Sequence, residues 1–210
     1  MRIAVIGAGI GGLTAAIALL KRGFEVEVFE QARELGEIGA GVQISPNGVR
    51  VLASLGLMDD IEAIASEPAG KCVRLWSTGQ EWKLFDLGSV SRQRYGFPYL
   101  TMHRGDLHQV LVKGLRALSP NAIRLDTRIT DIRQDGDVVR MFASGQEVAS
   151  ADFVVGADGV HSQVRQRLFG DDEARFSGIV AWRGVIDAET LPAHLRQPYG
   201  YNWLGPGKHV

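Results

Sequence analysis

The sequence has very little cysteine: Cys72 is the only one among 210 residues. A single cysteine excludes a disulfide within the chain and a zinc site built on cysteines, so we interpret Cys72 as a structural thiol. No apolar run approaches the roughly 18 residues that a membrane helix needs. After Met1 and Arg2 the chain enters a strand-like run without a cleavable signal. We therefore expect a cytoplasmic location and no membrane partner.

An excess of charge of either sign is also absent. The chain carries 23 Lys and Arg against 24 Asp and Glu, a net charge of −1. Such a balance argues against a broad basic surface of the kind that binds the phosphates of nucleic acid, and so against a nucleic-acid partner. The histidines lack the short spacing of metal ligands, and neither HExxH nor GxSxG occurs. We expect neither a metal site nor a hydrolase.

Apolar patterning predicts a β-α-β unit at the start of the chain, and hence an α/β fold class. Residues 2–7 form a continuous apolar run, which is typical of a parallel strand buried on both faces. Residues 13–22 have helical spacing, and Gly23 stands where a glycine would end the helix. Residues 24–30 follow as a second strand.

The remaining pattern is coarser. Three glycines and a proline predict a loop over residues 36–47, although Ser45 and Pro46 are suited to begin a helix. Turn signals at Asp135-Gly136 and Ser144-Gly145 predict hairpins. The other predicted elements are helices over 58–65 and 104–118 and strands over 128–134, 138–143, 146–149 and 152–156.

Aromatic residues are unevenly distributed and indicate two domains. Residues 71–100 and 176–210 together hold 11 of the 16 aromatic residues. We expect these blocks to meet as a β-rich second domain, inserted into an α/β nucleotide-binding domain made of 1–70 and 101–175. The alternative is that each block covers the first domain independently.

A glycine pattern at the end of the first strand predicts a dinucleotide site. Gly7, Gly9 and Gly12 satisfy GxGxxG: the first permits a tight turn, the second lets backbone approach a diphosphate, and the third lets the helix pack closely. Glu30 stands at the end of the next predicted strand. A carboxylate there accepts hydrogen bonds from an adenosine ribose. The spacing alone does not specify the dinucleotide.

Three further segments carry chemistry. They are Gly39-Ala40-Gly41-Val42-Gln43 with Ser45-Pro46-Asn47, His103-Arg104-Gly105-Asp106-Leu107, and Gly156-Ala157-Asp158-Gly159-Val160-His161-Ser162 with Val164 and Arg165. In the order and spacing of these motifs the chain resembles the FAD-dependent aromatic hydroxylases, the group A flavoprotein monooxygenases. The similar members act on small phenolic or hydroxypyridine carboxylates, such as salicylate, 3-hydroxybenzoate and 6-hydroxynicotinate.

This resemblance implies a Rossmann-like FAD-binding domain with adenosine-side contacts at four positions. Glu30 would bind the ribose, and Gln31 stands beside it where many relatives carry arginine. The backbone of Ile129 would meet the adenine. Arg104 would reach the ribose-pyrophosphate linkage, where its fork of donors suits phosphate oxygens. Arg104 also has a plainer interpretation as a surface residue at a helix start.

The resemblance also implies residues from three segments on the flavin side of the site. Gly41, Val42 and Gln43 would run beside the flavin ring. Asp158 would help to bind FAD and the nicotinamide donor, or it would simply belong to a tight turn. His209 lies in a segment similar to the GP-x-x-H-V strand beside the flavin. It would either take the substrate's phenolic proton or be a structural histidine at a strand end.

The implied activity is hydroxylation of a small phenolic or hydroxypyridine carboxylate, with NADH or NADPH as donor and dioxygen as oxidant. Family members are longer, so we expect an N-terminal half, truncated within an inserted β-rich substrate domain. A C-terminal fragment or a second copy of the chain is the expected protein partner. The alternatives are a flavin-dependent epoxidase or oxygenase of polycyclic compounds, an NAD-dependent dehydrogenase, and a non-catalytic FAD-binding remnant.

Overall fold

The computed structural model describes residues 1–36, 40–170 and 175–210. Residues 37–39 of the predicted loop and 171–174 of the predicted first domain lie outside them. The helices are α1 (Ile10–Leu20), α2 (Pro46–Ser54), α3 (Met58–Ile64), α4 (Gly88–Tyr95), α5 (Arg104–Leu118) and α6 (Gln163–Phe169). The strands are β1 (Arg2–Ile6), β2 (Glu25–Phe29), β3 (Gly41–Ile44), β4 (Gly70–Leu75), β5 (Glu81–Asp86), β6 (Leu100–His103), β7 (Ile123–Arg124), β8 (Asp131–Asp135), β9 (Val138–Ala143), β10 (Gln146–Ala151), β11 (Phe153–Gly156), β12 (Tyr199–Gly205) and β13 (Lys208–His209).

The chain divides into two compact units. The first consists of Met1–Ile38 and Leu107–Ala181, and the second of Gly39–Asp106 and Trp182–Val210. Residues 40–70 therefore group with the aromatic-rich blocks rather than with the GxGxxG segment.

A parallel sheet forms the centre of the first unit. Its strand order is β11-β1-β2-β7, and every pairing is parallel. Strand β1 is paired on both edges and also contacts α1 and β10, and Val5 is fully buried, in agreement with the apolar sequence of this strand. Leu13 and Ile17 of α1 are also buried, as helical spacing requires. The predicted β-α-β unit is confirmed.

Two hairpins join β8, β9 and β10 into an antiparallel sheet. Ser144 and Gly145 both have positive φ (50° and 80°), the backbone that a two-residue turn needs to match the twist of its strands. Met141 of β9 is fully buried in a core cluster with Ile132, Ile6 and Phe29. The predicted hairpin strands are confirmed, and they pack beside the parallel sheet.

A four-stranded sheet, ordered β13-β12-β4-β5, belongs to the second unit. Strand β12 pairs with β4 in parallel, with Tyr201 opposite Cys72 and Trp203 opposite Arg74. Strand β5 pairs with β4 on its other side in antiparallel orientation. Segments from both aromatic-rich blocks thus share one sheet.

The predicted loop over residues 36–47 is wrong in its second half. Gly41–Ile44 form β3, which pairs with β6 in antiparallel register. The helix start expected at Ser45 and Pro46 is confirmed, since α2 begins at Pro46. The glycines suggested irregular backbone, but the pairing partner is a distant segment that follows α3, β4, β5 and α4 in the chain. Long-range pairing of this kind overrides local propensity.

No helix among the described residues is both long and apolar enough to cross a bilayer.

Candidate functional site

The turn between β1 and α1 requires two of its glycines for packing. Gly7 has φ +105°, and a Cβ there would lie 2.4 Å from the Ala157 carbonyl oxygen. A Cβ at Gly12 would lie 1.9 Å from the Gly7 carbonyl oxygen. Both contacts involve backbone, which has no room to yield. The first and third glycines of the motif therefore bring β1, α1 and the end of β11 together.

Gly9 has no such packing reason to be glycine. Apart from its two chain neighbours, no described residue has an atom within 4 Å of the position that its Cβ would take, and its φ of −72° is open to any residue. It precedes α1, whose N-terminus receives no side-chain cap from the described residues. Uncapped N–H groups at a helix N-terminus, approached across a glycine, suit a bound diphosphate. The residues present at this turn fit a dinucleotide.

We therefore expect Gly9→Ala to separate folding from cofactor binding. The added methyl meets no described protein atom, so the free energy of unfolding should change by less than about 1 kcal/mol. Dinucleotide affinity should fall at least tenfold, because the backbone N–H groups lose their close approach. Thermal unfolding and fluorescence titration with FAD measure the two effects. An unchanged dissociation constant would contradict a diphosphate at this turn.

Glu30 lies directly after β2 and is held by backbone donors. Its Oε2 accepts the Ala8 N–H (2.7 Å) and its Oε1 accepts the Ala32 N–H (2.9 Å). The carboxylate is thereby fixed beside the glycine turn. Each oxygen keeps a further lone pair that is able to accept a hydrogen bond from a hydroxyl group.

Ala8 is held from a second side by a buried histidine. The Nε2–H of His108 donates to the Ala8 carbonyl oxygen at 2.7 Å, while Nδ1 is buried without a hydrogen-bond partner among the described residues. Because a carbonyl only accepts, this contact places the proton on Nε2. The contact supports a structural role for His108 in shaping the turn.

A cleft of about 360 Å³ lies at the carboxyl ends of β1, β2 and β11. Open parallel α/β sheets bind ligands outside the carboxyl ends of their strands, at the point where the strand order reverses. The cleft brings together six of the predicted cofactor residues: Gly7, Gly9, Glu30, Gln31, Ile129 and Asp158. The sequence analysis did not assign cofactor binding to the eight other residues that line it: Ile6, Phe29, Thr127, Arg128, Ala157, Gly159, His161 and Gln163. Of these, Thr127 and Arg128 directly precede Ile129, the predicted adenine contact, and this position in the chain could have identified them as lining residues.

Asp158 uses its side chain within its own segment. Its Oδ2 accepts the N–H groups of Gln163 (2.7 Å) and Val164 (3.3 Å), and its Oδ1 accepts the Ser162 hydroxyl (2.5 Å). The carboxylate thus satisfies donors at the start of α6. The guanidinium of Arg165 donates to the Val160 carbonyl oxygen at 3.0 Å and orders the same turn. These contacts hold the turn at the edge of the cleft.

The remaining predicted cofactor residues belong to the second unit, apart from Gly12. Gly41, Val42 and Gln43 lie on β3, and Gly39 lies outside the described residues. The side-chain oxygen of Gln43 accepts hydrogen bonds from Lys71 Nζ (2.9 Å) and from the Tyr99 hydroxyl. Arg104 begins α5, and its backbone N–H donates to the Ala40 carbonyl oxygen at 3.1 Å.

His209, the predicted catalytic residue, is exposed on the short strand β13. It lies opposite Leu204 of β12. Directly opposed residues of an antiparallel pair project from the same face of the sheet. His209 and Leu204 therefore share a face.

The opposite face of this sheet carries a buried thiol. Burial raises the pKa of Cys72, and a hydrogen bond to Glu81 raises it further. Arg74 lies 2.6 Å from the Glu81 carboxylate, and this contact lowers the pKa of Glu81. A buried thiol with a raised pKa is a poor nucleophile. The environment of Cys72 supports its interpretation as a structural residue.

The glycine turn, the carboxylate after β2 and the cleft at the sheet edge define a dinucleotide-binding α/β protein. The FAD binding domain family matches residues 1–200. The chain belongs to this family, which confirms both the α/β fold class and FAD as the cofactor.

The chain is also similar in sequence and structure to individual known proteins. The chain is 41% identical over its full length to a 3-amino-4-hydroxybenzoate 2-monooxygenase from Streptomyces cremeus, covering 52% of that protein. It is 36% identical, again over its full length, to a 6-hydroxynicotinate 3-monooxygenase from Bordetella bronchiseptica, covering 54% of it. Among solved structures, the tetrameric form of 2-methyl-3-hydroxypyridine-5-carboxylic acid oxygenase matches 80% of this chain and 42% of its own, with a TM-score of 0.66 and 33% identity. The chain thus spans about half the length of the curated relatives it matches.

Proposed function

We propose that the protein containing this chain is an FAD-dependent monooxygenase that hydroxylates a small phenolic or hydroxypyridine carboxylate. NADH or NADPH would supply the electrons and dioxygen the oxygen atom. The observation that carries the proposal is the cleft of the first unit, where six predicted FAD-binding residues converge. The relatives named above act on an aminohydroxybenzoate and on hydroxypyridine carboxylates, which supports the substrate class.

Residues of this chain would contact the adenosine-diphosphate end and the flavin end of the cofactor. The N–H groups at the start of α1 would bind the diphosphate across Gly9. Glu30 would accept hydrogen bonds from the hydroxyls of the adenosine ribose. Arg104 would add a cation at the ribose-pyrophosphate linkage. On the flavin side, Gly41, Val42 and Gln43 would flank the ring. FAD, once bound and reduced, supplies the activation of dioxygen.

His209 is the proposed proton acceptor for the substrate. A ring nitrogen of its imidazole would take the proton of the substrate hydroxyl, which raises the electron density of the aromatic ring. Asp158 is proposed to support FAD and donor binding indirectly, since its carboxylate holds the N–H groups of Gln163 and Val164 beside the cleft.

The test of this function uses the full-length protein that contains the chain. We expect a flavin absorbance spectrum and oxidation of NADH or NADPH that 3-hydroxybenzoate, 3-amino-4-hydroxybenzoate or 6-hydroxynicotinate stimulates, with a stoichiometric hydroxylated product. Coupled turnover of an alkene or a polycyclic compound instead would favour an epoxidase or polycyclic oxygenase. Bound FAD that no donor reduces would favour a non-catalytic protein. A colourless protein that oxidises a substrate with NAD would indicate a dehydrogenase.

Arg104 provides a separate test of the proposed cofactor contacts. Arg104→Ala should weaken FAD binding about tenfold or more, because a charge-assisted hydrogen bond to a phosphate oxygen contributes roughly 1.5–3 kcal/mol. Arg116→Ala, near the other end of α5, is the matched control. Equal flavin retention in the two variants would leave Arg104 with its plainer interpretation as a helix-start residue.

A further inference from the structure

Lys71 of β4 lines a cleft of about 340 Å³ that lies wholly within the second unit. Gln43, Tyr99 and Tyr199 line the same cleft. Lys71 Nζ donates to the Gln43 side-chain oxygen at 2.9 Å and lies 5.8 Å from the centre of the Tyr99 ring. The cleft therefore combines a cation with aromatic walls.

The charge of Lys71 has no carboxylate partner among residues 1–36, 40–170 and 175–210, whereas neighbouring cations are paired. Arg74 contacts Glu81 and Lys83 contacts Asp86. The three ammonium hydrogens of Lys71 have only one acceptor described, the side-chain oxygen of Gln43. Two N–H donors are left over, which matches the two oxygens of a ligand carboxylate.

The one carboxylate among the described residues that line this cleft is already occupied. The Glu67 carboxylate accepts hydrogen bonds from Arg92 Nε at 3.1 Å and from Arg92 Nη2 at 2.8 Å, a bidentate contact. This pairing raises the pKa of Arg92. Glu67 is thus neutralised, and Lys71 provides the uncompensated charge of the cleft.

Register places Lys71 on the sheet face that carries His209. Lys71 lies opposite Gly200, and Leu204 lies opposite His209. Gly200 and Leu204 are four residues apart on β12, so both lie on one face, about 13 Å apart along the strand. Arg74 belongs to the other face, where its guanidinium stacks 4.1 Å from the centre of the Tyr201 ring.

We propose that Lys71 binds the carboxylate of the aromatic substrate and thereby selects acids over their neutral analogues. This inference rests on the proposed function and assigns its specificity. The carboxylate would replace water at the two N–H donors that Gln43 leaves unused. The ring would extend over the same face in the direction of His209.

The test compares acids with their amides in the full-length holoenzyme. The probes are 3-hydroxybenzoate and 6-hydroxynicotinate, each paired with its carboxamide, and binding is followed by perturbation of the flavin spectrum. Lys71→Met should raise the dissociation constant and KM of the acids about 10- to 100-fold, since a hydrogen bond to a charged group is lost. The constants of the carboxamides should change less than threefold, and kcat at saturation should hold.

Two further variants make the test specific. Lys71→Arg keeps the cation and should restore much of the preference for acids. Lys83→Met removes a paired lysine from the adjacent strand and should leave the preference for acids intact. The FAD-to-protein ratio should be equal in all variants.

The inference fails if Lys71→Met binds acids as tightly as the wild type, or weakens acids and carboxamides equally, while the wild type still couples donor oxidation to hydroxylation. A wild type that hydroxylates only uncharged phenols also overturns the role of Lys71 but keeps the monooxygenase. A wild type with bound FAD and no hydroxylation of any probe contradicts the proposed function itself.

Discussion

Gly12→Ala should abolish stable folding or cost at least about 3 kcal/mol in the free energy of unfolding, which is the upper range for overpacking. The new Cβ would lie 1.9 Å from the Gly7 carbonyl oxygen and 3.2 Å from the Ala157 Cβ. Relief would require moving α1 away from β1, and buried Leu13 and Ile17 fix α1 in place. Soluble yield and the midpoint of thermal unfolding of the full-length protein measure this effect.

Gly11→Ala is the matched control, one residue away on the same helix. Apart from its chain neighbours and the backbone of its own helix, no described atom lies within 4 Å of the position of its Cβ, and Gly11 is exposed. Alanine has a higher helix propensity than glycine by about 1 kcal/mol, so this variant should be as stable as the wild type or more stable. Equal stability of the two variants would show that the close packing of α1 on β1 is not what selects glycine at position 12.

Glu30→Ala should raise the dissociation constant of FAD about 10- to 100-fold. The carboxylate is the proposed acceptor for the ribose, and a hydrogen bond to a charged acceptor contributes roughly 1.5–3 kcal/mol. The change also removes the acceptor of the Ala8 and Ala32 N–H groups, so the turn itself loses support. Titration of the apoprotein with FAD, followed by flavin fluorescence, gives the constant.

Glu27→Ala controls for the general loss of a carboxylate from β2. Glu27 is exposed on the same strand, so FAD affinity should stay within twofold of the wild type. Glu30→Gln should be intermediate, because its single amide oxygen replaces only one of the two acceptors. FAD binding of Glu30→Ala at wild-type strength would refute the proposed ribose contact.

The opening β-α-β unit could be predicted from the sequence because its determinants are local. The apolar run of β1, the GxGxxG turn and the helical spacing of α1 act within one supersecondary unit, and each agrees with the structure. The hairpin at Ser144 and Gly145 was predictable for the same reason, since turn chemistry acts over a few residues.

Lys71 illustrates what sequence patterns could not reveal. A lysine in a strand is typical of a solvated face, and the residues around Lys71 in the chain do not reveal its surroundings, whereas Lys83 has Asp86 three residues away. The contact that places Lys71 in a cleft is made with Gln43, which is separated from β4 by two helices. The strand assignment of Gly41–Ile44 depends on an equally distant segment, β6.

The sequence by itself determined the identity of the cofactor turn, the alternation of helices and strands, and the family resemblance. These properties follow from residue types at short, fixed spacings, which local backbone geometry converts directly into structure. The tertiary structure decided which distant segments form the walls of the cofactor cleft and which lysine is left with an uncompensated charge. Those outcomes depend on strand order and register, because a shift of one residue exchanges the two faces of a strand.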